Sequence, residues 1–230
     1  MARRIPEHRF EDLVNAATEV FIARGYRLTQ MSDVAEAVGV AKGTLYGYVE
    51  GKEALFALCL RNADRRRPIV RPETLPVPNP RPGELAAWVK QRLADESVTP
   101  LLDAALAIER NDDPRRELTE VVREFYLANS RNHRTIKLVD RCAAEHPEVG
   151  EIWQTGAREA TRAAFARYIE MRVRAGQFRP VQSAQLAARF LIEVVATWAI
   201  HIHWDRFPER FDPVEARENA IEFVVRGLVA

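Results

Sequence analysis

Two cysteines in 230 residues, Cys59 and Cys142, are too few for a disulfide framework, and their spacing fits no metal-binding pattern. Long apolar runs are also missing. No stretch reaches the roughly 18 uncharged apolar residues that a membrane-spanning helix needs, so no membrane partner is expected. The opening MARRIPEHRFEDL is basic but meets Glu7, Glu11 and Asp12 with no apolar run behind it, which is not the pattern of a signal peptide. The expected location is the cytoplasm. A surplus of either charge is lacking: 34 Lys and Arg stand against 33 Asp and Glu. Residues 1–67 carry 11 basic and 9 acidic side chains. Bulk electrostatics therefore do not advertise nucleic-acid binding, and any such affinity must come from placed contacts and from doubling in a dimer.

The chain also lacks the motifs of common enzymes. There is no nucleophile elbow, phosphate-binding glycine loop, HExxH or paired-cysteine motif. His201 and His203 are two apart, so on a helix they point to different sides and cannot share one metal ion. Asp112 and Asp113 precede Pro114 and read as a helix cap or a turn, not as a carboxylate pair for acid–base work. No enzyme, metal or cofactor is expected. What is present is ordinary for a folded protein: 47% hydrophobic and 29% charged residues, in a chain long enough for one or two cores.

The informative stretch runs from Thr29 to Phe56, TQMSDVAEAVGVAKGTLYGYVEGKEALF. Val34, Ala35 and Val38 recur at helical spacing and make one apolar face of a short helix. Thr29, with Ser32 as backup, offers a hydroxyl to cap its start. Gly39 can take the left-handed conformation that ends it. A second short helix is expected from Lys42 to Val49, with Leu45 and Tyr48 or Val49 facing inward. Two short helices, a glycine turn, and the small Ala35 that permits a close crossing make a helix-turn-helix. The outer side of the second helix presents Lys42, Thr44, Tyr46 and Tyr48, with Lys52 just beyond. Their ammonium and hydroxyl groups suit phosphate oxygens, and Lys42 and Thr44 suit base edges in a major groove. Gly43 allows close approach of backbone to DNA. Thr29 and Gln30, at the start of the unit, complete the candidate contact set.

Residues 10–56 resemble the DNA-binding domain of TetR-family transcriptional regulators. The resemblance is carried by the leading LVNAATEVFIARGY, the core MSDVAEAVGVAKGTLYGYV and the closing GKEALF, and covers about a fifth of the chain. It implies an all-helical homodimer, a repressor more often than an activator. Such a protein binds palindromic operator DNA and leaves it when a small molecule occupies the C-terminal domain. By resemblance, Thr44 and Tyr46 fall at DNA-contacting positions, Tyr48 at an aromatic or histidine phosphate-contact position, and Lys52 at the phosphate-contacting start of the next helix. The chain departs from the family pattern at several places. Ala41 stands where a capping Ser or Thr is common, Gly47 leaves a side-chain position empty, and Glu50-Gly51 replaces a common Pro-Ser or Pro-Asn.

Around this stretch the chain reads as helical throughout, with about nine to eleven helices. The first, from about Glu7 to Arg24, carries the stripe Phe10, Leu13, Val14, Ala17, Val20 and Phe21 and stops at Gly25. Arg3 and Arg4 precede it and suit a minor groove or a disordered tail. A fourth helix spans about Gly51 to Arg67; its terminal Arg65, Arg66 and Arg67 suit a helix C-terminus. Prolines at 68, 72, 76, 78, 80 and 82 then forbid helix. The domains read as 1–67 for DNA binding, a linker at 68–83, and 84–230 for effector binding and dimerisation. Helices are expected at about 84–95, 97–111, 114–131, 134–145, 147–176, 183–206 and 212–229.

In the last two helices Ala187, Phe190, Leu191, Val194, Val195, Trp198 and Ile202 form one apolar stripe, and Val214, Ile221, Val224, Val225 and Leu228 another. They suit pairing with a second copy as a four-helix bundle, and a reader of palindromes needs such a dimer. Trp88, Leu106, Phe125, Tyr126, Cys142, Trp153, Phe165, Tyr168, Met171 and Trp198 suit an apolar cavity for a small hydrophobic or aromatic effector, although each taken alone also suits plain core. The stretches HPEVGEIW and RAGQFRP look like AefR-like members of the family. Two other readings stay open. One is a constitutive DNA-binding protein without ligand, which the roughly 145-residue C-terminal part argues against. The other is a helical enzyme with a vestigial helix-turn-helix, which would show no sequence preference on DNA.

Overall fold

The computed structural model describes residues 8–64, 68–96, 99–207 and 209–229. Arg3 and Arg4, the run Arg65 to Arg67, and the expected start of a helix at residues 97 and 98 lie outside them. The fold is all-α, as the periodicity predicts. In chain order the helices are α1 (His8–Leu28), α2 (Met31–Val38), α3 (Lys42–Leu45), α4 (Lys52–Asn62), α5 (Glu84–Glu96), α6 (Pro100–Leu106), α7 (Pro114–Arg131) and α8 (His133–Ala143). Then come α9 (Pro147–Glu151), a π-helical stretch Ile152–Arg158 and α10 (Glu159–Arg174), which run on without a break. After them come α11 (Ala184–Ala199), a 3-10 turn His201–Trp204 and α12 (Pro213–Leu228). Among the described residues the only β-type pairing is an isolated bridge between Val49 and Val77.

The chain divides into two compact units. The first holds residues 1–92 and 134–154, the second 93–133 and 155–230.

In the first unit α1 is the central rod. Phe10, Leu13, Val14, Ala17 and Phe21 lie on one side of it and are buried, as the spacing predicts. They face Leu55, Phe56 and Cys59 of α4, with Phe21 and Phe56 edge-on at 5.2 Å. Gly25 breaks the rod with φ 81. The positive φ favours glycine here, and a Cβ would also lie 2.7 Å from Glu145 Oε2, displacing that carboxylate. The broken end is held from residues far along the chain. Arg141 donates to the Arg24 carbonyl at 3.1 Å, and the Arg27 N–H donates to Glu145 at 2.7 Å. A cation on the free carbonyls of a helix end is the arrangement its dipole favours.

Arg134 extends the same connection, donating to Glu19, Asn15 and the Ala63 carbonyl. Trp153 donates to Asp140 at 3.2 Å. The proline segment is no free spacer in this unit. Val77 N–H donates to the Tyr48 carbonyl at 2.8 Å, and Glu50 N–H to the Val77 carbonyl at 2.9 Å.

In the second unit the expected stops are built as caps. Asp113 accepts from Arg116 N–H, Ser183 from Leu186 N–H, and Asp212 from Val214 and Glu215 N–H, two of the three ahead of a proline at the first helical position. At the centre Arg172 is fully buried. It grips Glu117 through Nε at 2.8 Å and Nη2 at 2.9 Å, and donates to the carbonyls of Ala105, Ile108 and Glu109. The Tyr168 hydroxyl donates to the same carboxylate at 2.8 Å. All five guanidinium donors can thus be used, which is what makes a buried ion pair tolerable. The expected helix at 97–111 is shorter: α6 ends at Leu106, and the carbonyls of Ile108 and Glu109 beyond it accept from Arg172. The expected helix at 183–206 yields to the 3-10 turn after Ala199.

Candidate nucleic-acid interface

The turn between α2 and α3 is built as the spacing predicts. Met31, Val34 and Ala35 are buried, and Gly39 takes φ 71 and ends α2. Its N–H donates to the Glu36 carbonyl at 3.1 Å, and Val40 N–H to the Ala35 carbonyl at 2.9 Å. The start of α2 differs from expectation. Its cap position is Gln30, whose N–H donates to Asp33 Oδ2 at 2.8 Å. Thr29 lies one residue too early and is buried, with its hydroxyl donating to the Gly25 carbonyl at 2.6 Å. Asp33 is held in place by Arg24 at 2.9 Å.

The second helix is shorter than expected, four residues from Lys42 to Leu45, followed by a turn through Tyr48. Ala41 stands at its cap with no side-chain bond. Leu45 is buried beneath it. Lys42, Gly43, Thr44, Tyr46 and Gly47 form a continuous exposed run above, and Gln30 is exposed at the start of α2. One ammonium, two hydroxyls and an amide on one surface can donate to phosphate oxygens and exchange bonds with base edges.

Two other members of the expected set are placed differently. Tyr48 is only 2% exposed, with its ring 6.2 Å from that of Phe10. Burial raises its pKa, and the guanidinium groups of Arg9 and Arg71 work against that rise. These two cations near the Tyr48 hydroxyl gave no signal in the sequence, since one opens α1 and the other lies among prolines. Lys52 turns back into the protein. Its Nζ donates to the carbonyls of Tyr26 at 3.0 Å and Thr29 at 3.1 Å and lies 4.5 Å over the Tyr26 ring. The Tyr26 hydroxyl in turn donates to Glu53, which burial and that bond accompany with a raised tyrosine pKa.

The expected pocket residues divide between the two units. Trp88, Cys142 and Trp153 belong to the first unit, and Phe125, Tyr126, Phe165, Tyr168 and Trp198 to the second. The guanidinium groups of Arg61 and Arg92 lie 5.8 Å and 5.6 Å from the Trp88 ring centre. Cys142 is buried behind α1, and burial pushes its thiol up to about 12. In the second unit Phe125 meets Phe165 edge-on at 5.0 Å, and the Tyr126 hydroxyl donates to the Trp198 carbonyl at 3.0 Å. His146 packs against Tyr26 and Phe56, whereas His133 packs against His203 and Trp204.

The expected dimer residues divide in two. Leu191, Val195, Ile221, Val224, Val225 and Leu228 are buried within the chain itself. Val194, Trp198 and Ile202 are half-buried, and Phe190 is 68% exposed. Leu186 on α11 and Phe223 on α12, absent from the expected set, are also exposed. Among the described residues no group of three or more His, Cys, Asp or Glu is placed to hold a metal ion. No helix there is long and apolar enough to cross a membrane.

Comparison with known proteins agrees with this geometry. Residues 13–59 match the family of bacterial regulatory proteins of the tetR type. A fatty acid metabolism regulator protein of Bacillus subtilis (strain 168) is 40% identical over 48 residues, covering 21% of this chain and 25% of that protein. The match thus spans only a quarter of that relative's length. Over the whole chain, the ketosteroid transcriptional regulator KstR2 of Mycobacterium tuberculosis has a similar fold, with TM-score 0.58 at 19% identity, covering 99% of this chain and 97% of that one. A TetR-family member from Streptomyces coelicolor A3 gives TM-score 0.56 at 20% identity, covering 96% and 92%. Residues 13–59 are thus a helix-turn-helix region of the tetR-family type, set in an all-helical fold like that of these regulators.

Proposed function

We propose that the chain is a ligand-responsive regulator of transcription, a repressor that binds palindromic operator DNA as a homodimer in the cytoplasm and leaves it when a small hydrophobic or aromatic effector binds. The observation that carries this reading is the exposed run Lys42, Gly43, Thr44 and Tyr46 over the buried Leu45. It is a short helix with its apolar side anchored and its hydrogen-bonding side free, the requirement for a helix that enters a major groove. In this reading Gln30, Lys42, Gly43, Thr44 and Tyr46 face DNA. Arg9 and Arg71 take the phosphate-positioning role that Tyr48 and Lys52 are too enclosed to fill.

A second copy covers the apolar side chains left exposed on α11 and α12, chiefly Leu186, Phe190 and Phe223. The functional division falls at 68–83, with the effector held by residues beyond it. The chain passes between the two compact units at 92–93, 133–134 and 154–155. An effector that favours one arrangement of the second unit acts on the first through those connections, in proportion to its differential affinity for the two states.

Sedimentation of the purified chain tests the dimer, alone and with duplex DNA. The reading predicts a dimer and a complex of two chains per operator, and Phe190→Glu with Phe223→Glu gives a monomer with weakened binding. A monomer in the unaltered chain that binds DNA equally well contradicts it.

A further inference from the structure

The N-terminus of α4 has no cap of its own. Gly51 holds the cap position in an extended conformation, φ −172 and ψ −171, and has no side chain to accept from the first amides of the helix. The acceptor comes from the proline segment. Asn79 Oδ1 accepts from Ala54 N–H at 3.1 Å, the third helical amide and one that a serine or asparagine at position 51 would itself serve. The Asn79 N–H donates to Glu50 Oε2 at 2.9 Å. With the two backbone bonds between Val77 and residues 48 and 50, four hydrogen bonds fasten 77–79 to the stretch 48–54.

The two sides fit each other. A Cβ on residue 51 would lie 3.3 Å from Asn79 Oδ1 and 3.5 Å from Nδ2, a tight contact that the amide could relieve only by shifting a few tenths of an ångström. Pro78 and Pro80 flank the asparagine and restrict its backbone before it binds.

We infer that Asn79 is a positioning residue for DNA recognition: from the proline segment it caps α4 in place of Gly51 and, with Val77, fixes the turn that ends the recognition helix. The inference rests on the DNA-binding reading above. Tyr46 is exposed two residues before the fastened Tyr48 carbonyl, so movement of 48–50 moves the reading surface directly.

The test uses the full chain with Asn79→Ala, Asn79→Asp, and Asn79→Ala combined with Gly51→Ser. It measures hydrogen exchange at the Ala54 amide and affinity for a duplex selected by the unaltered chain. Asn79→Ala is expected to speed Ala54 exchange by about fivefold, the usual effect of a lost cap, and to weaken specific binding by about five- to tenfold. Asn79→Asp, which keeps the acceptor, retains protection and binding. The double variant regains Ala54 protection, because serine caps the helix locally. It does not regain affinity, because the side-chain tie from the proline segment to α4 is still missing. Unchanged exchange or unchanged affinity in Asn79→Ala overturns the inference, as does full recovery of affinity in the double variant. If the unaltered chain binds no duplex, the DNA reading fails and the positioning role fails with it. The exchange result then still reports separately whether Asn79 caps α4.

Discussion

The Lys52 ammonium lies 3.0 Å from the Tyr26 carbonyl oxygen, and so joins the first turn of α4 to the broken end of α1. It also donates to the Thr29 carbonyl. A lysine in that place neutralises the free carbonyls of a helix end instead of reaching outward. Lys52→Ala should therefore lower stability by about 1–2 kcal/mol in urea denaturation. It should weaken DNA binding to all sequences alike while leaving the salt dependence unchanged. A salt slope flatter by about one phosphate's worth would mean that Lys52 contacts DNA after all.

Thr44 is exposed and supports nothing beneath it, so Thr44→Ala should leave stability within about 0.5 kcal/mol of the unaltered chain. Its effect should appear in recognition. Discrimination at one base position should fall by about 1–3 kcal/mol, read by binding to a panel of single-base operator variants. An equal loss on every duplex would make Thr44 a phosphate contact instead.

Arg172 and Glu117 form the buried pair at the centre of the second unit. Arg172→Met leaves the carboxylate enclosed without its cation, with only the Tyr168 hydroxyl and the Asn111 amide among the partners described to bond it, and should cost about 3–5 kcal/mol. Glu117→Leu added to it should recover most of that loss, because both charges are then gone. A single variant as stable as the unaltered chain would contradict the enclosure described for this pair.

Alkaline pH should unfold the chain early. Burial raises the thiols of Cys59 and Cys142 from near 9 to about 12. Burial, followed by bonds to Glu53 and Glu117, raises the Tyr26 and Tyr168 hydroxyls. In each case the folded chain holds its proton more tightly than the unfolded chain. The stabilisation is therefore complete below the unfolded values and is lost as pH rises through the window from about 9 to 12. Urea midpoints should be level near neutrality and decline across that window, less steeply in Cys142→Ala. A level profile to the top of the window would refute the burial of these groups.

Much of this was legible in the sequence where the determinants are local. The stripe on α1, the glycine that ends α2, the exposed Lys42 and Thr44, and the caps at Asp113, Ser183 and Asp212 all depend on neighbours within a few residues. What was not legible depends on distant partners. Lys52 has the composition of a phosphate contact, and only the carbonyls of residues 26 and 29 give it another task. Tyr48 reads both as an inward-facing residue and as a phosphate-contacting hydroxyl, and the packing of Phe10 against it decides for the first. Asn79 looks like one more polar residue among prolines until residue 54 is brought to it. On α11 and α12 the apolar stripes read in the sequence mix residues buried within the chain with the exposed Phe190, and the exposed Leu186 and Phe223 lie outside them. Helical spacing alone does not separate them.

The central claim is that this surface reads DNA sequence. The most direct measurement is selection of random duplexes on the purified full chain, followed by sequencing. The account predicts a palindrome whose half-sites lie about one helical turn apart, lost from the selection when Thr44 and Tyr46 are both replaced by alanine. No enrichment at either low or moderate salt would contradict it.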